Sequence, residues 1–529
     1  MRKSIIFLFF LVTILSCKKE PTSWDLDALV PLLKTKMTLQ QAIPDSLVNV
    51  DSDNKLNLVY KGSLLEFNLD SVFAIPDTTM EDDFFLPIGS VTLIPGQTFL
   101  ADTLVSNYDM KGAQITEMKI GSGIFHVYVS STLAGPLILD YAIPSATKNG
   151  QMFFVRETIP AGTISNPTYV SKDYDISGYD VNLSGDQNNG FNIISTQYRV
   201  YVDSAGSSLT INAGDKLIMG NTLENILPSY ARGYFGIQKM SETAQNEALD
   251  AFKNIISGSI DLDEVKMEFN IKNELGVDIG VNISELIGKN SWNNTDVSLM
   301  GPIINQNLNL NRSTETGKED NPIQASVYST TLNPSNSNVT EFISNLPDIL
   351  SYQMDIDINP LGNVSNSNDF VYDSTGIEIS LDAEIPFKLS ANNLVLIDSS
   401  EISIDSNAQE EVRKIIGGFV KVYADNWYPF SLGSQFYMLD ENFVVIDSLF
   451  TEPQLISSGI PIGGEVLEPT SSILQAPITG SKIDNLYRTK YIESKLRINT
   501  HSQDKIQVYG NYFIDISVVG DFQYLISIN

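Results

Sequence analysis

Cysteine and histidine are nearly absent from this chain of 529 residues, which contains one cysteine, Cys17, and two histidines, His126 and His501. A single cysteine excludes an intrachain disulfide and a cysteine-ligated metal cluster. Two histidines are too few for a histidine-rich metal site, and we expect neither to act in a catalytic triad. The sequence therefore predicts a fold that is held together by its hydrophobic core alone.

Basic residues are also scarce. Lysine and arginine total 33 against 64 aspartates and glutamates, which gives a formal net charge of −31. Such a surface repels nucleic-acid phosphates and anionic lipid headgroups. We therefore expect no nucleic-acid partner, and we interpret the acidity as that of a well-solvated surface.

Long apolar runs are absent except at the N-terminus, where residues 5–15 are apolar apart from Thr13 and follow Arg2 and Lys3. This run has the length of a signal-peptide core and is too short to span a bilayer. It leads into Ile14, Leu15, Ser16 and Cys17, a pattern that resembles the lipobox of bacterial lipoproteins. The resemblance implies removal of residues 1–16 and acylation of Cys17, and several acyl chains anchor a protein stably.

Three charged residues, Lys18, Lys19 and Glu20, follow the cysteine directly. A charged tract in this place resembles the export signal of surface lipoproteins in Bacteroidetes-type bacteria. The resemblance implies a lipid-anchored protein of the outer membrane, on its periplasmic or cell-surface face, with the surface favoured. Because such lipoproteins often hold polysaccharide, it also implies a polysaccharide or an envelope protein as partner.

Short alternating runs separated by Gly, Asn, Asp and Ser predict a β-rich fold with many hairpins. Residues 48–50 and 56–60 flank a turn at 51–54, and residues 198–202 and 209–211 flank another at 203–206. At the C-terminus the apolar alternation of 514–518 resumes at 522–528 after Gly520 and Asp521. We interpret this last pattern as a hairpin with one buried face.

The 3.6-residue period predicts only a few helices. The longest begins at Ser241 and ends before Gly258, with Ala244, Ala248, Phe252 and Ile255 on one stripe. Shorter helices are predicted over residues 408–416 and 483–491, and a broken one over 339–350, which Pro347 interrupts.

The composition shifts along the chain predict the following organisation. An anchor and N-terminal segment covers 17–45, a β-rich region 46–112, a β-sandwich 113–240, and two units of helix plus β-sandwich 241–352 and 353–529.

Two parts of the chain show a weak internal repeat, in which Ile-Ile-x-Gly precedes a strand that ends in asparagine. The asparagines are Asn273 and Asn426, each followed three residues later by Gly or Pro and then by alternating apolar residues. Asparagine tolerates turn geometry and bonds its own backbone, whereas Gly or Pro interrupts the strand ladder. The repeat favours a strand that stops, turns and re-enters a sheet.

Residues 420–440, VKVYADNWYPFSLGSQFYMLD, also resemble the strand–Asn–turn–strand core of LEA-2/WHy-type (water-stress and late-embryogenesis-abundant) domains, and residues 267–286 match it more weakly. The resemblance implies several immunoglobulin-like, antiparallel β-sandwich units and no catalytic residue. The predicted fold class is therefore mainly β, with a few short helices.

Familiar catalytic and cofactor motifs are missing. Gly121 and Gly123 lack the third glycine of a dinucleotide fingerprint, and no Walker lysine motif occurs. The runs 51–56 and 186–190 partly resemble calcium loops but are better interpreted as turns. We therefore predict no cofactor, no metal and no enzyme activity, with a carboxylate-based glycoside hydrolase as a minor alternative.

Trp427, Tyr428 and Phe430 form the one aromatic cluster that could stack on a sugar ring, although packing at the end of a sandwich is the stronger interpretation. Three functions remain open. The first is a lipid-anchored, non-enzymatic binding or scaffold module of the cell envelope, the second is a surface glycan-binding lipoprotein, and the third is a lipid-binding or transfer module.

Overall fold

A computed structural model describes residues 22–39, 47–68, 75, 77–85, 87–249, 252, 257–318, 320–402, 413–500 and 505–528. Strands dominate it, and every pair of named strands runs antiparallel. The predicted mainly-β class is confirmed.

The first part of the chain forms strands β1 (Thr22–Met37), β2 (Val48–Val50), β3 (Leu56–Asn68), β4 (Thr78–Phe85), β5 (Ser90–Leu93), β6 (Thr98–Asn107), β7 (Gln114–Ser131), β8 (Leu137–Lys148), β9 (Gln151–Ile159), β10 (Thr168–Asp175), β11 (Asp180–Asn182), β12 (Ile193–Val202), β13 (Leu209–Asn212) and β14 (Lys216–Tyr234). The middle part forms β15 (Gln238–Ala248), β16 (Ser259–Leu262), β17 (Lys266–Asn273), β18 (Ile279–Asn290), β19 (Thr295–Ser298), β20 (Asn307–Leu310), β21 (Thr314–Glu315), β22 (Ile323–Gln324), β23 (Ser326–Leu332), helix α1 (Val339–Ser344), β24 (Ile349–Ile358), β25 (Asp369–Tyr372), β26 (Gly376–Pro386) and β27 (Lys388–Asn392). The last part forms β28 (Leu394–Glu401), β29 (Arg413–Asn426), β30 (Leu432–Leu439), β31 (Val445–Ser448), β32 (Gln454–Ile456), β33 (Pro461–Ile462), β34 (Glu465–Val466), β35 (Thr470–Pro477), helix α2 (Ser481–Arg488), β36 (Tyr491–Ile498), β37 (Ile506–Gln507) and β38 (Ile514–Ile528).

Two sandwiches share one topology. The central sandwich has sheets β2-β3-β26-β17-β23 and β15-β24-β18-β19, with β20 also on β18. The C-terminal sandwich has sheets β1-β38-β29-β35 and β28-β36-β30-β31, with β32 also on β30. Strand for strand, β3, β26, β17 and β23 correspond to β1, β38, β29 and β35, and helices α1 and α2 occupy the same place in the chain order. The two sandwiches are therefore structural repeats.

The repeats are nested rather than consecutive. Strand β1 belongs to the C-terminal sandwich, so the whole central sandwich lies between it and β28 in the chain. Strand β3 belongs to the central sandwich, and between it and β15 lie nine of the ten strands of a sheet in the order β25-β14-β7-β11-β8-β12-β6, with β4, β9 and β10 attached; the tenth, β25, follows β24. We call this third body the inserted sheet. The predicted boundary near residue 352 falls within β24 of the central sandwich.

Strand pairing links the three bodies in series. The small sheet β16-β27-β37 lies where the chain passes from the central to the C-terminal sandwich. At the other side, β25, which follows β24 of the central sandwich in the chain, pairs with β14 and so belongs to the inserted sheet.

A buried charge fixes the second of these joints. The Asp369 carboxylate, on β25, is 1% exposed and accepts hydrogen bonds from Arg312 (3.0 Å) and Asn359 (2.8 Å). Arg312 also pairs with Asp278 at 2.8 Å, and Asn359 also donates to the Gly236 carbonyl at 3.2 Å. Because a buried carboxylate is stable only when it is paired and hydrogen-bonded, this network holds the inserted sheet firmly on the central sandwich.

The core of each sandwich lies between its two sheets. Tyr352 of β24 donates a hydrogen bond to the Leu64 carbonyl of β3, so the two sheets of the central sandwich face each other. In the C-terminal sandwich, Met37, Leu396 and Ile514 line one small cavity between the sheets. The alternation of buried and exposed side chains along each strand produces these two-layer cores.

Two predicted helices are wrong. The segment predicted to start a helix at Ser241 belongs to β15, which pairs with β24, and the Ser241 hydroxyl donates to Asp355 at 2.5 Å. Two of the four residues on the predicted apolar stripe are alanines, which would bury little apolar surface in a helix. Pairing with β24 stabilises the strand more, so tertiary context overrides the helical period. Residues 250, 251 and 253–256 lie outside the described residues. Residues 413–416, predicted as helical, open β29, and 408–412 are not described.

The other two helices are confirmed in their first parts, whereas residues 349–350 belong to β24 and residue 491 begins β36. Helix α1 ends at Ser344, before Pro347, and α2 begins two residues earlier than predicted.

The predicted C-terminal hairpin is also wrong, because β38 is one continuous strand. Gly520 pairs with Val30 on one side and Val420 on the other. The apolar residues keep the same parity on both sides of Gly520, so the strand continues without reversing. Any side chain at Gly520 would overlap the Phe522 ring, which explains the glycine without a turn.

Candidate functional site

The inserted sheet carries an open, polar groove of about 580 Å³. Strands β7, β8, β11 and β12 and the loop after β11 form it. It is lined by Glu117, Met118, Lys119, Pro144, Ser145, Thr147, Asp180, Val181, Asn182, Gly185, Asp186, Asn188, Ile193, Ser195 and Tyr230. A groove of this volume is large enough for a small ligand or for part of a chain-like one.

The loop at one wall of the groove is held by its own side chains. Asn182 accepts hydrogen bonds from the backbone N–H (2.8 Å) and the hydroxyl (2.6 Å) of Ser184, and it donates to Asn188 at 3.2 Å. Asp186 accepts a hydrogen bond from Ser195 at 3.1 Å. These bonds give residues 186–190 the geometry of a turn, which was the favoured prediction for this run.

The lining is acidic and rich in hydrogen-bonding groups. Glu117, Asp180 and Asp186 contribute carboxylates, against the single lysine Lys119. The buried Ser145 hydroxyl, which lines the groove, has no hydrogen-bond partner in the protein. An uncharged ligand that is rich in hydroxyl groups matches this lining, because carboxylates and amides accept hydrogen bonds from hydroxyls.

Tyr230 stands at the margin of the groove in a fixed orientation. Its hydroxyl accepts a hydrogen bond from Arg232 Nε at 2.8 Å, and its ring centre lies 4.8 Å from that of Tyr372. Burial raises the pKa of Tyr230 above its ordinary value, so the phenol stays neutral at physiological pH. The groove therefore has one rigid aromatic edge, which belongs to the joint with the central sandwich.

The sequence analysis compared two runs, 186–190 in this loop and 51–56, with calcium loops and favoured turns at both. Asp51 accepts hydrogen bonds from the backbone N–H of Asp53 and Lys55, both at 2.9 Å, inside the β2–β3 hairpin. That run is therefore a hairpin turn, as predicted. Within the described ranges, no group of three or more His, Asp or Glu side chains is placed to hold a metal ion.

His126 has partners that the sequence did not reveal. Its Nδ1 lies 2.5 Å from Asp173 Oδ1, and its Nε2 lies 3.3 Å from Ser171 Oγ. His126 lies on β7, whereas Ser171 and Asp173 are alternate residues of β10, which pairs with β7. These contacts have the order of a serine–histidine–aspartate triad, an arrangement that the sequence analysis did not foresee.

The surroundings of this cluster differ from those of a hydrolase triad. The Asp173 side chain is 68% exposed, and Ser171 lies on the same open strand face. Water screens the charge of such a carboxylate, whereas catalytic triads act with a buried aspartate in a site that excludes water. The cluster therefore has the properties of an exposed cross-strand network. Only the pairing of β7 with β10, which the sequence does not specify, brings the three residues together.

The predicted aromatic platform is corrected by burial. Tyr428 and Phe430 are each 4% exposed, and both rings face the interior of the C-terminal sandwich. The Tyr428 hydroxyl accepts a hydrogen bond from the Leu39 N–H at 2.8 Å. Trp427 is partly buried and stacks on Phe513 with 5.4 Å between ring centres. These rings pack the end of a sandwich, and the three together offer no surface to a sugar.

Two predicted positions, Cys17 and His501, lie outside the described residues. In the part of the chain that is described, no helix is long and apolar enough to cross a membrane.

Comparison with known proteins gives neither a matching family model nor a matching curated protein. Among solved structures, the chain is similar to a protein described as a "putative secreted protein" from Parabacteroides distasonis, with 10% identity and a TM-score of 0.26 over 96% of this chain and 100% of the other. It is also similar to a structure from the Gx strain of infectious bursal disease virus, with 8% identity and a TM-score of 0.15 over 86% and 82%. TM-scores this low do not establish a shared fold.

Proposed function

We propose that the protein is a lipid-anchored, non-enzymatic binding module of the bacterial cell envelope. Residues 1–16 act as its signal peptide and Cys17 carries the lipid, in the outer membrane with the cell surface favoured. The lipobox-like residues and the charged tract behind them support this address.

The observation that carries the binding role is the open polar groove of about 580 Å³ in the inserted sheet. The lipid-bearing end leads into β1 of the C-terminal sandwich, whereas the groove belongs to the body at the other end of the series. The paired network around Asp369 makes the joint nearest the groove stiff. Such a chain of bodies is suited to holding a ligand near a membrane while leaving the groove open.

The same groove favours a second, narrower candidate, which is binding of polysaccharide. Its carboxylates, amides and free Ser145 hydroxyl match sugar hydroxyls, and Tyr230 offers an aromatic edge. With a net charge of −31, the chain repels anionic polymers, so an uncharged glycan is the expected class.

A glycan array probed with leaderless protein tests this candidate. We expect binding of one or more neutral glycans and at least a tenfold loss in Glu117→Ala and Asp180→Ala. The control is Glu441→Ala, an exposed acid on a turn of the C-terminal sandwich, which keeps full binding. Absence of any glycan ligand, or binding that neither groove variant reduces, counts against it, and an envelope protein then becomes the expected partner.

The lipid-transfer alternative receives no comparable support. The apolar cavities inside the inserted sheet and inside the C-terminal sandwich measure about 20 Å³ and 40 Å³. About 10–15 Å³ of such volume is needed for one water molecule, so these cavities have room for only a few waters and neither holds an acyl chain. Native mass spectrometry that finds co-purified lipid in the leaderless protein would favour this alternative again.

A further inference from the structure

The outer face of sheet β1-β38-β29-β35 carries exposed apolar side chains that no described part of the chain covers. Leu29 is 69% exposed, Ile473 is 66% exposed, and Phe419 and Tyr423 are each 40% exposed. Contiguous exposed apolar surface on a soluble body indicates an interaction site.

Strand register places these four side chains on one face. Leu29 of β1 pairs with Asp521, which pairs in turn with Phe419 of β29. Tyr423 lies four residues along β29 from Phe419 and pairs directly with Ile473 of β35. Because side chains alternate along a strand and match across a pair, all four point away from the core.

The charges on this face are paired only in part, because Asp425 and Asp515, which lie opposite each other on β29 and β38, share it with the pair of Lys421 and Asp521. Lys421 lies between Phe419 and Tyr423, and its ammonium is 2.7 Å from the Asp521 carboxylate. Pairing removes most of the cost of bringing these charges close to an apolar medium. At the end of β1 nearest the N-terminus, Asp25 and Asp27 are exposed. The face therefore suits a surface without net negative charge.

The position of the lipid identifies what lies against this face. Strand β1 begins at Thr22, and only residues 18–21 separate it from Cys17. Five residue steps span at most about 17 Å, even when fully extended. A lipid on Cys17 thus keeps the first residues of this sheet within about 17 Å of a bilayer.

We propose that the outer face of β1-β38-β29-β35 rests on the membrane, with Leu29, Phe419, Tyr423 and Ile473 contacting the interfacial region of an uncharged or zwitterionic bilayer. This rests on the proposed anchor at Cys17. The strands of the C-terminal sandwich then run along the bilayer plane, and the short tether and the apolar face act together. A lipid chain and an apolar patch form the pair of signals that stable peripheral binding needs.

The test uses the single cysteine as an attachment point. Leaderless protein beginning at Cys17 is coupled through its thiol to a maleimide lipid in phosphatidylcholine vesicles whose acyl chains are brominated. Ile473→Trp serves as the reporter, and Tyr169→Trp, on the exposed face of β10 in the inserted sheet, serves as the matched control. Emission of the wild type, with its native tryptophans, is subtracted.

We expect bromine quenching of the tryptophan at position 473 at least twofold stronger than at position 169, and a loss of this difference in Phe419→Ser. Equal quenching at both positions would overturn the proposal. Concentration-dependent dimers that Ile473→Asp abolishes would also overturn it, because a second copy would then cover the face. Chemical coupling makes the result independent of natural acylation, which the fractionation of Cys17→Ser cells decides separately.

Discussion

Asn273 and Asn426 make the same three hydrogen bonds in two different sandwiches. Each side-chain amide donates to the carbonyl four residues later, that of Val277 (2.9 Å) or Phe430 (3.0 Å), and each also donates to a distant carbonyl, that of Asn311 or Ser457. Each side-chain oxygen accepts from the N–H two residues later, and both asparagines are fully buried. The strand–Asn–turn–strand part of the predicted repeat is therefore confirmed in atomic detail.

Replacement of Asn426 by alanine should destabilise the C-terminal sandwich. The change leaves the carbonyls of Phe430 and Ser457 and the N–H of Tyr428 without their partner in a buried turn. We expect a loss of about 3 kcal/mol in the free energy of unfolding, measured by urea denaturation. The control Asn442→Ala, on an exposed turn, should cost less than about 0.5 kcal/mol. Equal midpoints for the two variants would mean that the turn is not held by this side chain.

Deletion of residues 22–37 should make the protein self-associate. Strand β1 covers the whole edge of β38 and contributes buried Leu32 and Met37 to the core. Without it, β38 becomes an open edge that pairs with other chains. Size-exclusion chromatography with light scattering should show oligomers. The control, a chain that begins at residue 22, should remain monomeric, and a monomeric deletion variant of unchanged stability would contradict the nested topology.

Stability should fall at alkaline pH because two tyrosines have raised pKa values in the folded protein. Burial raises the pKa of Tyr141 to about 12, and the hydrogen bond to Glu81 raises the pKa of Tyr128 to about 12. The unfolded value is about 10, so the stabilisation is complete below about pH 10 and is lost as the pH rises through about 12. Tyrosinate absorbance should therefore appear at higher pH in the native protein than in urea. Coincident curves would show that these phenols are freely ionisable, and Tyr141→Phe should reduce the alkaline loss of stability.

The contacts of Ser171, His126 and Asp173 should not produce hydrolysis. An exposed aspartate and an open strand face give little stabilisation to a charged transition state. We expect p-nitrophenyl acetate to be hydrolysed equally fast by the wild type and by Ser171→Ala and His126→Ala. A tenfold drop in either variant, together with labelling of Ser171 by a fluorophosphonate, would make the protein a serine hydrolase.

Patterns within one strand or turn were predictable from the sequence, whereas patterns that depend on distant pairing were not. Two-residue alternation identified the β2–β3 hairpin, and the Asn–Gly/Pro spacing identified the turns at Asn273 and Asn426. The stripe behind Ser241 was misinterpreted because pairing with β24, more than 100 positions away, decides its conformation. The pairing of β1 with β38 could not be predicted either, because no local pattern in residues 22–37 indicates that they pair with a strand at the other end of the chain.

In the candidate site, too, local features were predictable from the sequence and features that depend on distant pairing were not. The turn at residues 186–190 was predictable, because asparagine, aspartate and glycine define it locally. The groove beside it was not, because its lining comes from five strands that only the sheet order brings together. The aromatic cluster at Trp427 was conspicuous in the sequence, yet Tyr428 and Phe430 are buried beside Met37 at the end of β1 and Leu39 just after it, which are almost 400 positions away in the chain.

The most direct test of the proposed tether is fractionation of cells that produce the wild type or Cys17→Ser and are grown with an alkyne-labelled fatty acid. We expect the wild type in the outer-membrane fraction with label, and Cys17→Ser without label and released from membranes. Label on the variant, or membrane partitioning that survives the loss of Cys17, would contradict the lipid anchor from which the proposed function starts.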